Sequence, residues 1–177
     1  TGNLFGAMEF SLEAAKAGLQ PILGAQILIG SEEHQLVLLV QSAEGYLNLS
    51  VLISQSYLTS DGLSKPKISW EDLETHHAGL ICLSGGVKGP VGQAVLHNRL
   101  EEADRLTQDL KRIFSDRFYM EIQRHGTPEE ESSENGLVDL AYRYDIPLLA
   151  TNDVYFSAPD LYEAHDALLC IAEGRYV

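Results

Sequence analysis

The sequence predicts an α/β fold built on a mostly parallel sheet. Two observations carry that reading: apolar runs of strand length recur along the chain, and segments with helical periodicity separate them. A third sets the scale, since 177 residues with 45% apolar and 21% charged side chains are one globular unit able to bury its own core. A wound sheet and a closed barrel both satisfy this alternation.

Taken in order, residues 6–17 have the composition of a helix, and Gly18 is placed to stop it. Pro21 introduces a run over residues 22–29 with little alternation, the pattern of a strand covered on both faces. Gly30-Ser31-Glu32-Glu33 turns the chain into a second apolar run over 35–40, so the two form a hairpin. Helical period returns over 44–57, where Leu47, Val51 and Leu58 align with Tyr46 and Ile53 beside them. Residues 59–67, rich in Ser, Gly and Pro, read as a loop. Ser69 and Asp72 have the spacing of a capping box, which starts a short helix. A buried strand at Leu80–Leu83 is closed by Ser84-Gly85-Gly86. Helices over 93–98 and 101–114, a strand over 118–123, a helix over 128–144 with Pro128 in its first turn, a strand over 146–151 and a helix over 160–172 complete the pattern. The chain starts without Met almost inside a helix and stops just after another, which predicts a piece cut from a larger protein.

Charge narrows the function. Twenty-six acidic against twelve basic side chains leave a formal charge of −14, which disfavours direct binding to nucleic acid or a membrane surface. The adjacent bases Lys111 and Arg112 are offset by Asp109 and Asp116. Cys82 and Cys170 lie in apolar runs and read as buried free thiols of a reducing cytoplasm. No apolar stretch approaches the roughly 18 residues of a membrane span.

In a parallel α/β sheet functional side chains collect at the C-terminal ends of strands. After Tyr119, a period of two sends Glu121, Gln123 and His125 to one side and Met120 and Ile122 to the other. A carboxylate and an imidazole at a strand end suit metal binding or acid–base work, although each is also an ordinary loop or hydrogen-bonding residue. Thr151-Asn152-Asp153 ends the next strand, where a carboxylate ligand or a plain turn would stand. Ser84-Gly85-Gly86-Val87-Lys88-Gly89-Pro90 lacks the spacing of either glycine-rich phosphate loop and reads as a tight strand-to-helix connection. There is no G-x-S-x-G elbow. His76-His77 reads as a surface pair, and His165, a lone histidine on the last helix within reach of the sheet, as a structural residue.

Several segments taken together resemble a known family. They are Asn3-Leu4-Phe5-Gly6-Ala7-Met8-Glu9-Phe10, Ala17-Gly18-Leu19-Gln20-Pro21-Ile22-Leu23-Gly24, Glu44-Gly45-Tyr46-Leu47-Asn48-Leu49, Leu83-Ser84-Gly85-Gly86, Glu121-Ile122-Gln123-Arg124-His125-Gly126 and Ala150-Thr151-Asn152-Asp153-Val154. In order and spacing they resemble the PHP (polymerase and histidinol phosphatase) domain family, in the form carried by the N-terminal region of bacterial DNA polymerase III alpha subunits. The resemblance implies a distorted, TIM-like (β/α)7 barrel whose complete members bind divalent metals at the C-terminal mouth and hydrolyse phosphoesters. It further implies that residues 1–177 are one such domain, incomplete at its N-terminus, with a His-x-His strand and a strand ending in Thr-Asp upstream.

The departures from the family pattern are informative. Gln26 stands where metal-binding members carry Glu, Gln35 where they carry His, and Tyr155 where a His follows Val. His34 is one residue from the Gln35 position and would face the opposite side of the strand. Of the mapped ligands Asp153 and His125 remain, so the resemblance implies a vestigial metal site with no catalytic residue and no cofactor in this piece. It implies a cytoplasmic parent polymerase using Mg²⁺, within which this piece stabilises the subunit and docks a proofreading exonuclease subunit, the parent and not this piece binding DNA. The alternative is an active phosphoesterase or 3′–5′ exonuclease using Zn²⁺ or Mn²⁺, and a third possibility is a piece of an unrelated α/β-barrel enzyme.

Overall fold

Strands and helices alternate as the periodicities require. A computed structural model describes residues 2–60, 62 and 64–176. Its elements are α1 (Ala7–Lys16), β1 (Gly24–Ile29), β2 (His34–Val40), α2 (Ala43–Leu58), β3 (Lys67–Ile68), α3 (Trp70–Thr75), β4 (Leu80–Leu83), α4 (Pro90–Leu96), α5 (Leu100–Phe114), β5 (Phe118–Ile122), α6 (Pro128–Arg143), β6 (Leu148–Ala150) and α7 (Tyr162–Glu173).

The six strands form one sheet in the order β3-β1-β2-β4-β5-β6. The expected hairpin is present, with β1 antiparallel to β2 from Gly24 opposite Leu39 to Ile29 opposite His34. β2 is also antiparallel to β4, while β3 runs parallel to β1 and β4, β5 and β6 run parallel in turn. Five strands therefore share one direction and β2 alone among the described strands is reversed. The expected barrel is not closed. A barrel needs a continuous hydrogen-bonded ladder around its circumference, and here the sheet ends on two short edges, the two residues of β3 and the three of β6.

Burial shows which face of the sheet meets the helices. Ala25, Ile27 and Ile29 of β1 and Leu36 and Leu38 of β2 are buried, as are Leu80, Cys82, Phe118 and Met120. Leu49 and Leu52 of α2, Leu73 of α3, Val91 of α4, Leu106, Leu110 and Phe114 of α5, and Leu137 and Leu140 of α6 complete the core. Each Val, Leu, Ile, Phe or Met among them contributes about 1.5–3 kcal/mol by leaving water. The opposite face of β1 and β2, carrying Gln26, Leu28, Gln35 and Val37, is half-buried, so β1 is not covered on both faces as its sequence implied.

Boundaries differ where a local device overrides periodicity. β1 starts at Gly24 rather than residue 22, and Ile22 lies exposed. α4 starts at Pro90 rather than residue 93, because proline at the first position has the helical φ and lacks an amide that would go unpaired there. β3 lies partly in the segment read as loop. The Ser69–Asp72 capping box forms as expected. Cys82 is buried and its thiol pKa is pushed up by burial and then by Glu121. Cys170 was expected to be buried and is half-buried, since α7 buries none of its described side chains; its thiol lies 3.5 Å from the Tyr176 carbonyl oxygen. Among the described residues no helix is long and apolar enough to cross a membrane.

Candidate functional site

The ends of β4, β5 and β6 are joined by one buried carboxylate. Glu121, 3% exposed, accepts the Gly85 amide at Oε2 (3.0 Å), and its Oε1 accepts the Thr151 hydroxyl and the Gln123 amide at 3.4 Å. Gln123 also donates to Thr151 Oγ1 (3.1 Å), and the Glu121 amide donates to Ser84 Oγ (2.9 Å). Charge-assisted bonds of this kind offset the cost of taking the carboxylate out of water. The turn after β4 must be glycine: Gly85 has φ +81°, and a Cβ there would collide with the Gln35 carbonyl oxygen.

Beyond this network lies a cavity of about 250 Å³ whose wall includes Gln26, Gln35, Lys88, Glu121, Gln123 and Asp153. Asp153 Oδ2 accepts the Lys88 ammonium at 2.8 Å and the Tyr155 hydroxyl at 3.1 Å. The bond from Lys88 is the main reason the Asp153 carboxyl sits below its ordinary range, burial opposing it, and the same bond raises the Lys88 pKa.

His125 stands at the edge of this site, in the turn that enters α6. Its amide and its Nδ1 both meet the Glu130 carboxylate at 2.7 Å, and Glu130 completes a capping box with Thr127. Burial works to raise the Glu130 pKa. It is outweighed by bonds from the His125 ring and from the His125 and Thr127 amides, which leave it at about 2. The Asp153 amide points at His125 Nε2 at 3.4 Å. An imidazole accepting at Nε2 carries its proton on Nδ1, where Glu130 receives it.

The structure thus brings Asp153, Gln26 and Gln35 to one cavity, with Tyr155 against Asp153 and His125 one contact away. His34 lines a separate cleft with Glu32 and His97, as a one-residue step in β2 requires, and its Nε2 lies 3.1 Å from Glu32. His165 packs against the rings of Tyr155 and Phe156 at 5.3 and 5.4 Å. His77 is half-buried and edge-on to Phe114 instead of lying at the surface. Sequence reasoning missed Lys88 and Glu130. Glu130 had a legible signal, the Thr127–Glu130 capping spacing. Lys88 had none, since its partner lies 65 residues away.

The family resemblance raises the question of a metal cluster, and the donor set does not fit one. Among the described residues no three His, Cys, Asp or Glu side chains are grouped to share an ion. Asp153 is engaged by an ammonium and a phenol, and both ring nitrogens of His125 face protein partners. Amide oxygens at Gln26 and Gln35 are neutral donors, weaker for a divalent ion than carboxylate or imidazole.

A family model described as the PHP domain matches residues 1–125. Over 99% of its length the chain is 48% identical to a DNA polymerase III subunit alpha of Caulobacter vibrioides, of which it covers 16%. It is 42% identical to that of Rickettsia bellii, covering 97% of the chain and 15% of the relative, and 38% identical to that of Vibrio cholerae with the same coverage. The chain therefore spans about one-sixth of the length of these curated relatives.

Proposed function

Because the chain belongs to the PHP domain family, we propose that it acts as a non-catalytic PHP module of a cytoplasmic replicative DNA polymerase alpha subunit, stabilising that subunit and docking a proofreading exonuclease subunit. The observation that carries this reading is the engagement of Asp153 Oδ2 by both Lys88 and Tyr155, which sets an ammonium and a phenol against the carboxylate that a metal at the strand ends would need. Metal-assisted hydrolysis needs three or more good ligands and an activated water. The exposed apolar side chains of α1 and α7, among them Phe10, Leu12, Leu168 and Ile171, are surfaces that a larger subunit would bury. In the parent the two free sheet edges pair with further strands to complete a (β/α)7 barrel, and the Mg²⁺ of polymerisation is held elsewhere.

The test uses full-length protein freed of its exonuclease subunit. After dialysis it should hold no stoichiometric Zn²⁺ or Mn²⁺ and should leave primer 3′ ends intact. Zn²⁺- or Mn²⁺-dependent degradation that Asp153→Asn abolishes would establish the active phosphoesterase or exonuclease instead.

A further inference from the structure

The donor set does not suit a divalent ion, yet the site holds a cation. The cavity at the ends of β4, β5 and β6 is lined by two carboxylates, Glu121 and Asp153. Glu121 is satisfied by neutral donors of the strand ends. Asp153, whose side chain is 20% exposed, has a positive partner, and it is Lys88, reaching across from the turn after β4. Tyr155 adds a donor to the same Asp153 oxygen. We infer that the Lys88 ammonium is the resident cation of this site, taking the place at Asp153 that a metal ion would need and excluding one by charge as well as by occupancy. The inference deepens the non-catalytic reading and rests on it.

What separates this role from that of a surface ion pair is position and not stability. Pairs with one half-exposed partner contribute little to stability, and the Lys88 side chain is 53% exposed, so folding alone gives no strong reason for the contact. The lysine also lies in the wall of the same cavity as Gln26 and Gln35. An ion drawn there by restored ligands would meet a fixed ammonium at Asp153. Loss of acidic and imidazole ligands and gain of an internal cation are then two halves of one change, and reversing only the first half leaves the site closed to metal.

The experiment compares full-length proteins by isothermal titration with Mn²⁺ and with Zn²⁺. One variant carries Gln26→Glu and Tyr155→His; a second adds Lys88→Gln; a third adds Lys88→Arg instead. The set carrying Lys88→Gln should bind metal about tenfold or more tightly than the pair of substitutions alone, the Lys88→Arg set should show no gain, and Asp153→Asn should abolish the gain. Equal affinity with and without Lys88→Gln would overturn the inference while leaving the non-catalytic reading intact. Stoichiometric metal in the unmodified protein would overturn the reading itself. Because Lys88 is half-exposed, its substitution leaves the core untouched, and unchanged exchange of the buried Glu121 amide checks that each variant is folded.

Discussion

At the scale of single residues, Glu121 shows how a buried charge is tolerated when its donors come from three strand ends. Thr151→Val removes the shorter of the two bonds to Oε1 and leaves only the 3.4 Å contact from Gln123. An acceptor left short of donors in a buried site costs about 1–3 kcal/mol, so this variant should lose that much stability in urea unfolding, with a Gly85 amide, held by the same carboxylate, that exchanges faster. A loss within error would mean water replaces the hydroxyl. Glu130 has a pH signature with a definite sign. Its carboxyl is lowered from 4.5 to about 2, so its stabilising contribution is full above pH 4.5 and disappears as pH falls through 2. Glu130→Gln should flatten the acid limb of the stability curve over that window, and an unchanged limb would assign the loss to other carboxylates. The period-two reading placed Glu121 of β5 and Gln123, one residue beyond it, on one side because the alternation of a strand carries through its last turn of backbone. It does not extend to His125, three residues past the last residue of β5, where the Glu130 turn and not the pleat sets direction.

At the scale of elements, legibility follows how much of the information is local. α5 could be read from its own periodicity, since Ala103, Leu106, Leu110 and Phe114 form the buried stripe and Arg105, Gln108 and Arg112 the wet one. The capping box at Ser69 is likewise a four-residue signal. β3 carries no such signal: two residues pair with β1 because the fold brings them there. α1 and α7 were legible as helices, yet their place was not, for neither buries a described side chain against the rest of the chain. Helical stability comes mostly from packing an apolar face, and a helix of ten residues is marginal without it. In the 177-residue chain, trypsin should therefore cut after Lys16 and Arg175 before it cuts after Lys111 or Arg112 within α5. In the longer protein proposed above the Lys16 bond should become resistant. Early cleavage within α5 would contradict the packing described for it.

At the scale of the whole molecule, the sequence showed the alternation of an α/β sheet but not its openness, because edge pairing depends on strands that need not be near in sequence. The overall charge, by contrast, was legible and the structure adds how it is arranged. Lys16, Lys67, Lys88, Arg99, Arg105, Arg112, Arg124 and Arg143 each lie within 4 Å of a carboxylate. Two further cations are turned inward onto backbone carbonyls, Lys111 onto Tyr144 and Asp145 and Arg117 onto His77 and Leu80. Ten of the twelve bases are thus already matched to a carboxylate or a carbonyl, and the net charge is −14. Binding to a phosphate backbone draws its free energy from counterions released by clustered cations, and falls steeply with salt for that reason. The 177-residue chain should accordingly show no retention of single- or double-stranded DNA in a gel shift at physiological salt, and no templated synthesis, which needs Mg²⁺ held by carboxylates in a basic channel. Lowering the salt should not rescue binding, since an acidic surface and DNA repel more strongly when screening is reduced. If binding instead appears at low salt and weakens as salt rises, unpaired cations must gather on one face, and the charge arrangement described for this molecule would be wrong.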